Sequence, residues 1–204
     1  GGRAGPGAVS IRLVTERAVK DELLDVIGST VSGDAIRLAM FYLSDRDVIG
    51  SLLAAAARGV SVKIILDPNK DAFGYTKNGI PNRPVASELV TGSQGKIRVR
   101  WYATGGEQFH SKLTLVGKGG KIHLILGSAN LTRRNIANYN LEADLSIVAD
   151  DGSGLAREAV DYFDRLWSNR DGNTFTLDYT AYADDSKTRY FVYRLQEASG
   201  LSSF

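Results

Sequence analysis

Phe109 to Asp144 reads FHSKLTLVGKGGKIHLILGSANLTRRNIANYNLEAD, and it holds both histidines of the chain. Successive side chains of an extended strand point to opposite faces, so His110, Lys112 and Thr114 share one face. Phe109, Leu113 and Leu115 take the other. Lys121 to Leu126 is a second apolar run, and the GKGG at 117–120 between the two reads as a hairpin turn. Closing the hairpin on those four residues sets Thr114 against His123, Lys112 against Ile125 and His110 against Gly127. A glycine opposite the histidine leaves open space above its ring. Ser128 and Asn130 follow as the second strand ends. An imidazole, an ammonium, a hydroxyl and a carboxamide then converge at one end of a sheet, a set that suits a phosphate group.

Outward from this hairpin, the chain alternates helix and strand patterns. Thr15 to Ile27 reads as a helix with Ala18, Leu23, Leu24 and Ile27 on one apolar stripe. AIRLAMFYL at 35–43 is apolar on both faces, as in a buried strand. Ser44-x-x-Asp47 resembles a capping box that opens a helix running to about Arg58, with Gly59 as its stop. SVKIILDP at 61–68 is the next strand, and strand, helix, strand over so short a span implies a right-handed parallel crossover. Pro68 to Gly95 concentrates Gly, Pro, Asn and Asp and reads as a long loop, with Pro84 opening a short helix through Leu89. KIRVRWYA at 96–103 is a strand that delivers the chain to Glu107 and the hairpin.

Beyond the hairpin, LEADLSIVA at 141–149 is a strand and Gly154 to Trp167 an amphipathic helix, with Leu155, Ala159, Tyr162, Phe163 and Leu166 at helical spacing. Residues 173–181 read as an edge strand, and Lys187 to Ala198 as a last helix. The fold class expected is α/β, a mixed, mainly parallel sheet flanked by helices on both faces.

Composition sets the outer bounds. With 204 residues and 43% hydrophobic content the chain can bury one good core, so residues 11–204 are expected to form a single domain. Gly1 to Ser10, GGRAGPGAVS, reads as a linker or an appended scar on an excised piece. The 25 Lys+Arg against 23 Asp+Glu leave a formal +2, which argues against a general electrostatic grip on nucleic acid. No cysteine is present, so disulfides and thiolate metal sites are excluded. No apolar run approaches the ~20 residues that span a bilayer.

His110-x-Lys112 followed by Gly127-Ser128-x-Asn130 resembles the His-Lys-Asp motif of the phospholipase D superfamily. The flanking NLTRRNIANYNLEADL is similar to that family too, with Glu142 in the place of its downstream glutamate. The resemblance runs from about Ile11 to the C-terminus and is specific over 110–142. One departure is clear: where the motif aspartate belongs, five positions after the lysine, this chain has Gly117, and the turn carries three extra residues. Similarity to bacterial members of the family also implies that the loop after Pro68 walls the substrate site. A plain surface excursion accounts for that loop equally well, and no residue of it is assigned to the site.

An imidazole is a competent nucleophile near neutral pH, and phosphodiester cleavage divides naturally into two displacements through a covalent phosphoryl-histidine. Lys112 and the Asn130 amide are expected to stabilise non-bridging oxygens, with the Ser128 hydroxyl adding a hydrogen bond. The resemblance implies that Glu142 holds the imidazole tautomer. The scheme calls for no cofactor and no metal. It does call for a second acid across the phosphate, and the chain holds one motif. The expected partners are therefore a phospholipid or other phosphodiester, nucleic acid being the weaker alternative, and a second motif from a homodimer mate or from the remainder of a longer protein. In the latter case His110 is expected to act as general acid. A non-catalytic half-domain is the competing reading, favoured by Gly117. His123, between Ile122 and Leu124, is expected to be a core residue.

Overall fold

The computed structural model describes residues 9–15, 17–72, 75–76, 78–136, 142–184 and 186–199. The chain runs β1 (Ser10–Thr15), α1 (Arg17–Gly28), β2 (Ala35–Met40), α2 (Arg46–Ala57), β3 (Ser61–Leu66), a small ribbon of β4 (Asp71–Ala72) and β5 (Tyr75–Thr76), then α3 (Asn82–Gly92) and β6 (Ile97–Tyr102). β7 (Lys112–Lys118), β8 (Lys121–Gly127), α4 (Arg133–Ile136), β9 (Ala143–Asp150), α5 (Gly154–Trp167), β10 (Thr176–Asp178) and α6 (Lys187–Ser199) complete it. The expected linker lies outside the described residues except for Val9 and Ser10, and Ser10 already belongs to a strand.

Eight strands form one sheet in the order β1-β9-β8-β7-β2-β3-β6-β10. The mixed α/β architecture with helices on both faces is as read from the sequence, but the mainly parallel balance is not. Only β2–β3 and β3–β6 are parallel, and the other junctions are antiparallel. The cause is connectivity. Parallel neighbours need a crossover element, and only α2 and α3 provide one between adjacent strands; hairpins and return loops make the rest.

Two cores follow from the alternation of side chains across this sheet. α1, α2, α3 and α6 cover one face, burying Leu23, Ile27, Leu52, Leu89 and Tyr193 against Ile36, Ile64 and Trp101. α5 covers the other, packing Ala156, Phe163 and Leu166 on Leu115, Leu124 and Ile147. Each such fully buried aliphatic contributes about 1.5–3 kcal/mol of transfer free energy. On α1 the buried stripe is Val19, Leu23 and Ile27, four residues apart, while Ala18 faces solvent. β1 went unread because it is an edge strand with only Val14 buried, so it carries no apolar alternation.

Local signals shifted in two more places. The cap of α2 is Asp45, whose carboxylate accepts from the amides of Asp47 and Val48, whereas Ser44 donates to Glu197 of α6. Pro84 is the third residue of α3 rather than the first.

The hairpin itself is tighter than expected. Gly119 (φ 56°) and Gly120 (φ 73°) both take left-handed backbone, closing a two-residue turn of the kind only glycine-rich pairs adopt readily. Thr114 therefore pairs with Ile125 and Val116 with His123, a shift of two from the four-residue closure. A shift of two preserves the face of every side chain. It does change the partners: continuing the register by one step brings Lys112, not His110, level with Gly127.

Candidate active site

The C-terminal ends of β2 and β3 are tied together by buried polar side chains. The Asp67 carboxylate accepts from Asn69 N at 2.6 Å and from Phe109 N at 2.7 Å. Asn82 donates to the carbonyls of Phe41 (2.7 Å) and Asp67 (2.8 Å), and its own oxygen accepts from Leu43 N at 3.0 Å. Asn69, held at φ 47°, accepts from Asn82 N at 3.0 Å. Asp67, Asn69 and Asn82 are all buried, so these bonds, shielded from water, fix the residue that precedes His110. None of the three was assigned to the site from sequence. The available signal was Asp67-Pro68-Asn69 directly after an apolar strand, an arrangement prone to side-chain-to-backbone turns.

His110 stands just before β7 rather than in it, and it is exposed. Its ring centre lies 4.9 Å from that of Phe41. The Lys112 ammonium is 3.1 Å from Nδ1 and 3.2 Å from Nε2 of the imidazole, and it donates to the His110 carbonyl at 3.3 Å. Lys112 is buried and sits 5.4 Å over the Phe41 ring. Desolvation and, after it, the neighbouring ammonium push the His110 pKa down, so the imidazole is held neutral. Burial also pushes Lys112 down, while Glu142 and Asp144 pull it back up.

The other expected residues gather at the same strand ends with different partners. Ser128 Oγ donates to the Ala143 carbonyl at 3.4 Å and accepts from Ala143 N at 3.2 Å, so the hydroxyl is engaged in joining β8 to β9. Glu142 accepts from the Asn135 side-chain amide; the group against the imidazole is Lys112. Asn130 Oδ1 is buried without a hydrogen-bond partner among the described residues, as is Thr104 Oγ1 in the segment leading to His110. A buried polar atom left unpaired costs about 1–3 kcal/mol, which a bound donor would relieve.

Asp144 also went unassigned. It lies on β9 opposite Gly127, is buried, and accepts from Ala129 N at 3.0 Å. Its signal was an acid on the Lys112 face, two residues after Glu142. His123 is partly exposed rather than a core residue, and it lines a separate hollow of about 430 Å³ with Arg12, Glu22 and Asp25. Alternation aims it at the α1 side of the sheet, where the helix leaves a gap. Arg133 bonds to Glu197 and Ala198 of α6 and takes no part in the site. Among the described residues no His, Asp or Glu group is placed to hold a metal, and no helix is long and apolar enough to cross a membrane.

Residues 23–167 match the family described as cardiolipin synthase, PLD-like domain. Cardiolipin synthase A of Cronobacter sakazakii is 30% identical over 140 residues, which cover 64% of this chain and 26% of that protein. The chain thus spans about a quarter of the length of the cardiolipin synthases it matches. Among solved structures, the phospholipase D family member Nuc from Salmonella typhimurium superposes with a TM-score of 0.60 at 20% identity, covering 84% of this chain and 98% of Nuc. The phosphatidylserine synthase of Haemophilus influenzae gives a TM-score of 0.63 at 13% identity, covering 96% of this chain and 47% of that one. These likenesses show a shared fold, and the family match over more than half of the chain settles its kinship: it belongs to the phospholipase D superfamily.

Proposed function

We propose that this chain supplies one half of a phospholipase D-type active site, which cleaves a phosphodiester through a phosphohistidine intermediate. The observation that carries this reading is the His110–Lys112 contact. A neutral imidazole stands exposed at the end of the sheet with a buried ammonium 3.1 Å away. One imidazole nitrogen forms the P–N bond while the P–O bond to the leaving alkoxide breaks, and an acid across the phosphate protonates that alkoxide. Water, or an alcohol in a transfer reaction, then attacks phosphorus and gives its proton to the same acid as the P–N bond breaks. Lys112 and the Asn130 carboxamide stabilise the charge on the non-bridging oxygens, and Glu142 just before β9 and Ser128 just after β8 support the site.

The second acid is a second His110, from another copy of the chain or from an equivalent motif elsewhere in a longer protein. If the mate lies in a longer protein, His110 is the acid and the mate's histidine the nucleophile. The formal charge of +2 and the cardiolipin synthase match favour a phospholipid over nucleic acid.

Sedimentation equilibrium combined with diesterase assays across protein concentration, with and without EDTA, tests this. A dimer whose activity falls on dilution and survives EDTA is the expected result, and an inert monomer points to a mate in a longer protein. A fully active monomer would overturn the two-histidine scheme.

A further inference from the structure

Gly127 lies between the two charges of the site. It pairs with Asp144 across β8 and β9, and the β7–β8 register brings Lys112 level with it on the other side. With no side chain at 127, nothing on β8 stands between ammonium and carboxylate. A Cβ there would fall 2.2 Å from an Asp144 oxygen, 2.5 Å from the Ala143 carbonyl oxygen and 2.6 Å from the Asp144 Cα, so only glycine fits beside that carboxylate and its backbone. Met40 lies next to Lys112 in β2 and Val14 next to Asp144 in β1, both buried, so the row is apolar at each end.

We propose that Asp144 is a positioning residue of the active site, anchoring the Gly127-Ser128-Ala129-Asn130 turn and holding the Lys112 charge from the side away from His110. The proposal rests on the phosphodiesterase reading above and adds a residue to it. Asp144 receives the amide of Ala129 at 3.0 Å, while the adjacent Ser128 amide donates to the Ala143 carbonyl at 3.3 Å. The bond from Ala129 to a buried carboxylate, with Ser128 tied to Ala143 beside it, sets the path of the backbone that presents Asn130, and donors to developing charge act only if they are held in place beforehand. Lys112 is faced by the His110 imidazole and the Phe41 ring on one side and by Glu142 and Asp144 on the other. Of the two acids Glu142 exerts the stronger pull on the ammonium. Asp144 is the more deeply buried, at 4% exposure. Burial, with a smaller contribution from Glu142, raises its pKa, while the nearby Ala129 and Ser128 amides and Lys112 favour the charged form.

The test is a pH titration of wild type, Asp144→Asn and Glu142→Gln by NMR, observing lysine 15Nζ and the Ala129 amide. In Asp144→Asn the Lys112 midpoint should fall by about one pH unit, and in Glu142→Gln by more. The Ala129 amide should follow an acid-range ionisation in wild type and lose it in Asp144→Asn. An unmoved Lys112 midpoint in folded Asp144→Asn overturns the proposal. Should that variant not fold, wild type decides alone: the Asp144 carboxyl carbon and the Ala129 amide must share one midpoint, and two separate midpoints overturn it. None of these readings requires turnover: a dimer that cleaves no diester counts against the phosphodiesterase reading, an inert monomer points to a mate in a longer protein, and in either case the titration judges Asp144. Where cleavage is seen, the alkaline limb of kcat/KM should move down in Asp144→Asn. It should stay in place when the same change is made beside Lys112→Arg, because a guanidinium keeps its proton.

Discussion

Two rows of charge cross this sheet, one on each face, and they are handled in opposite ways. On the α5 side Arg37, Lys63 and Arg98 stand in register across β2, β3 and β6. Like charges directly opposite one another are destabilising, yet the fold offsets them locally. Asp164 of α5 lies 3.2 Å from Arg37 and 4.0 Å from Lys63, and the Trp167 ring lies 5.3 Å from Lys63 and 6.0 Å from Arg98. On the α1 side Lys112 and Asp144 are unlike charges flanking a glycine. They are buried, and beside them are an exposed imidazole and an Asn130 oxygen unpaired among the described residues. A charge on a sheet face beneath a helix finds its counter-ion in that helix. A charge at the strand ends, beyond the helices, is left for something else to complete, and there polar groups can serve a ligand.

The sharpest way to break this contrast is His110→Ala. Diester cleavage should drop by on the order of 10³ or more, with the melting temperature unchanged, because an exposed ring before β7 contributes little packing. Activity within threefold of wild type would sink the assignment. Lys112→Ala and Asn130→Ala come next, each lowering kcat by on the order of 10²–10³. A change confined to KM would reduce both residues to ground-state binding.

A pH profile then separates the two sides without mutating His110. Desolvation and the Lys112 charge depress His110, so its neutral form persists below the ordinary histidine pKa of 6.5. The acid limb of kcat/KM should have its midpoint below that value, and Lys112→Ala should move the midpoint up; a limb at or above 6.5 in wild type contradicts the depressed imidazole. The smallest effect belongs to the α5 row. Asp164→Asn should cost at most about 1 kcal/mol of stability in denaturant titrations, since the pair is partly solvated. If it lowered turnover as much as Lys112→Ala does, the two rows would not differ in kind.

Much of this molecule is written locally. The span of α5, the strand at β3, the hairpin and the identities of His110, Lys112 and Asn130 follow from periods of two and 3.6 and from adjacent residues, because those patterns act within a few positions. Tertiary structure decided what depends on distant neighbours. The direction of most sheet junctions came from which strands found each other, and the pairing of β1 with β9 joins residues from 128 (Thr15–Ala143) to 138 (Ser10–Val148) positions apart. The hairpin register turned on two glycines accepting left-handed backbone, which composition permits without requiring. Asp67 reaches forward 42 positions to the amide before His110, and Asp144 fits only because β8 happens to present Gly127. A buried carboxylate is stable where donors surround it, and Phe109 N for Asp67 and Ala129 N for Asp144 come from distant parts of the chain, so the local signals at these two acids did not by themselves place them in the site.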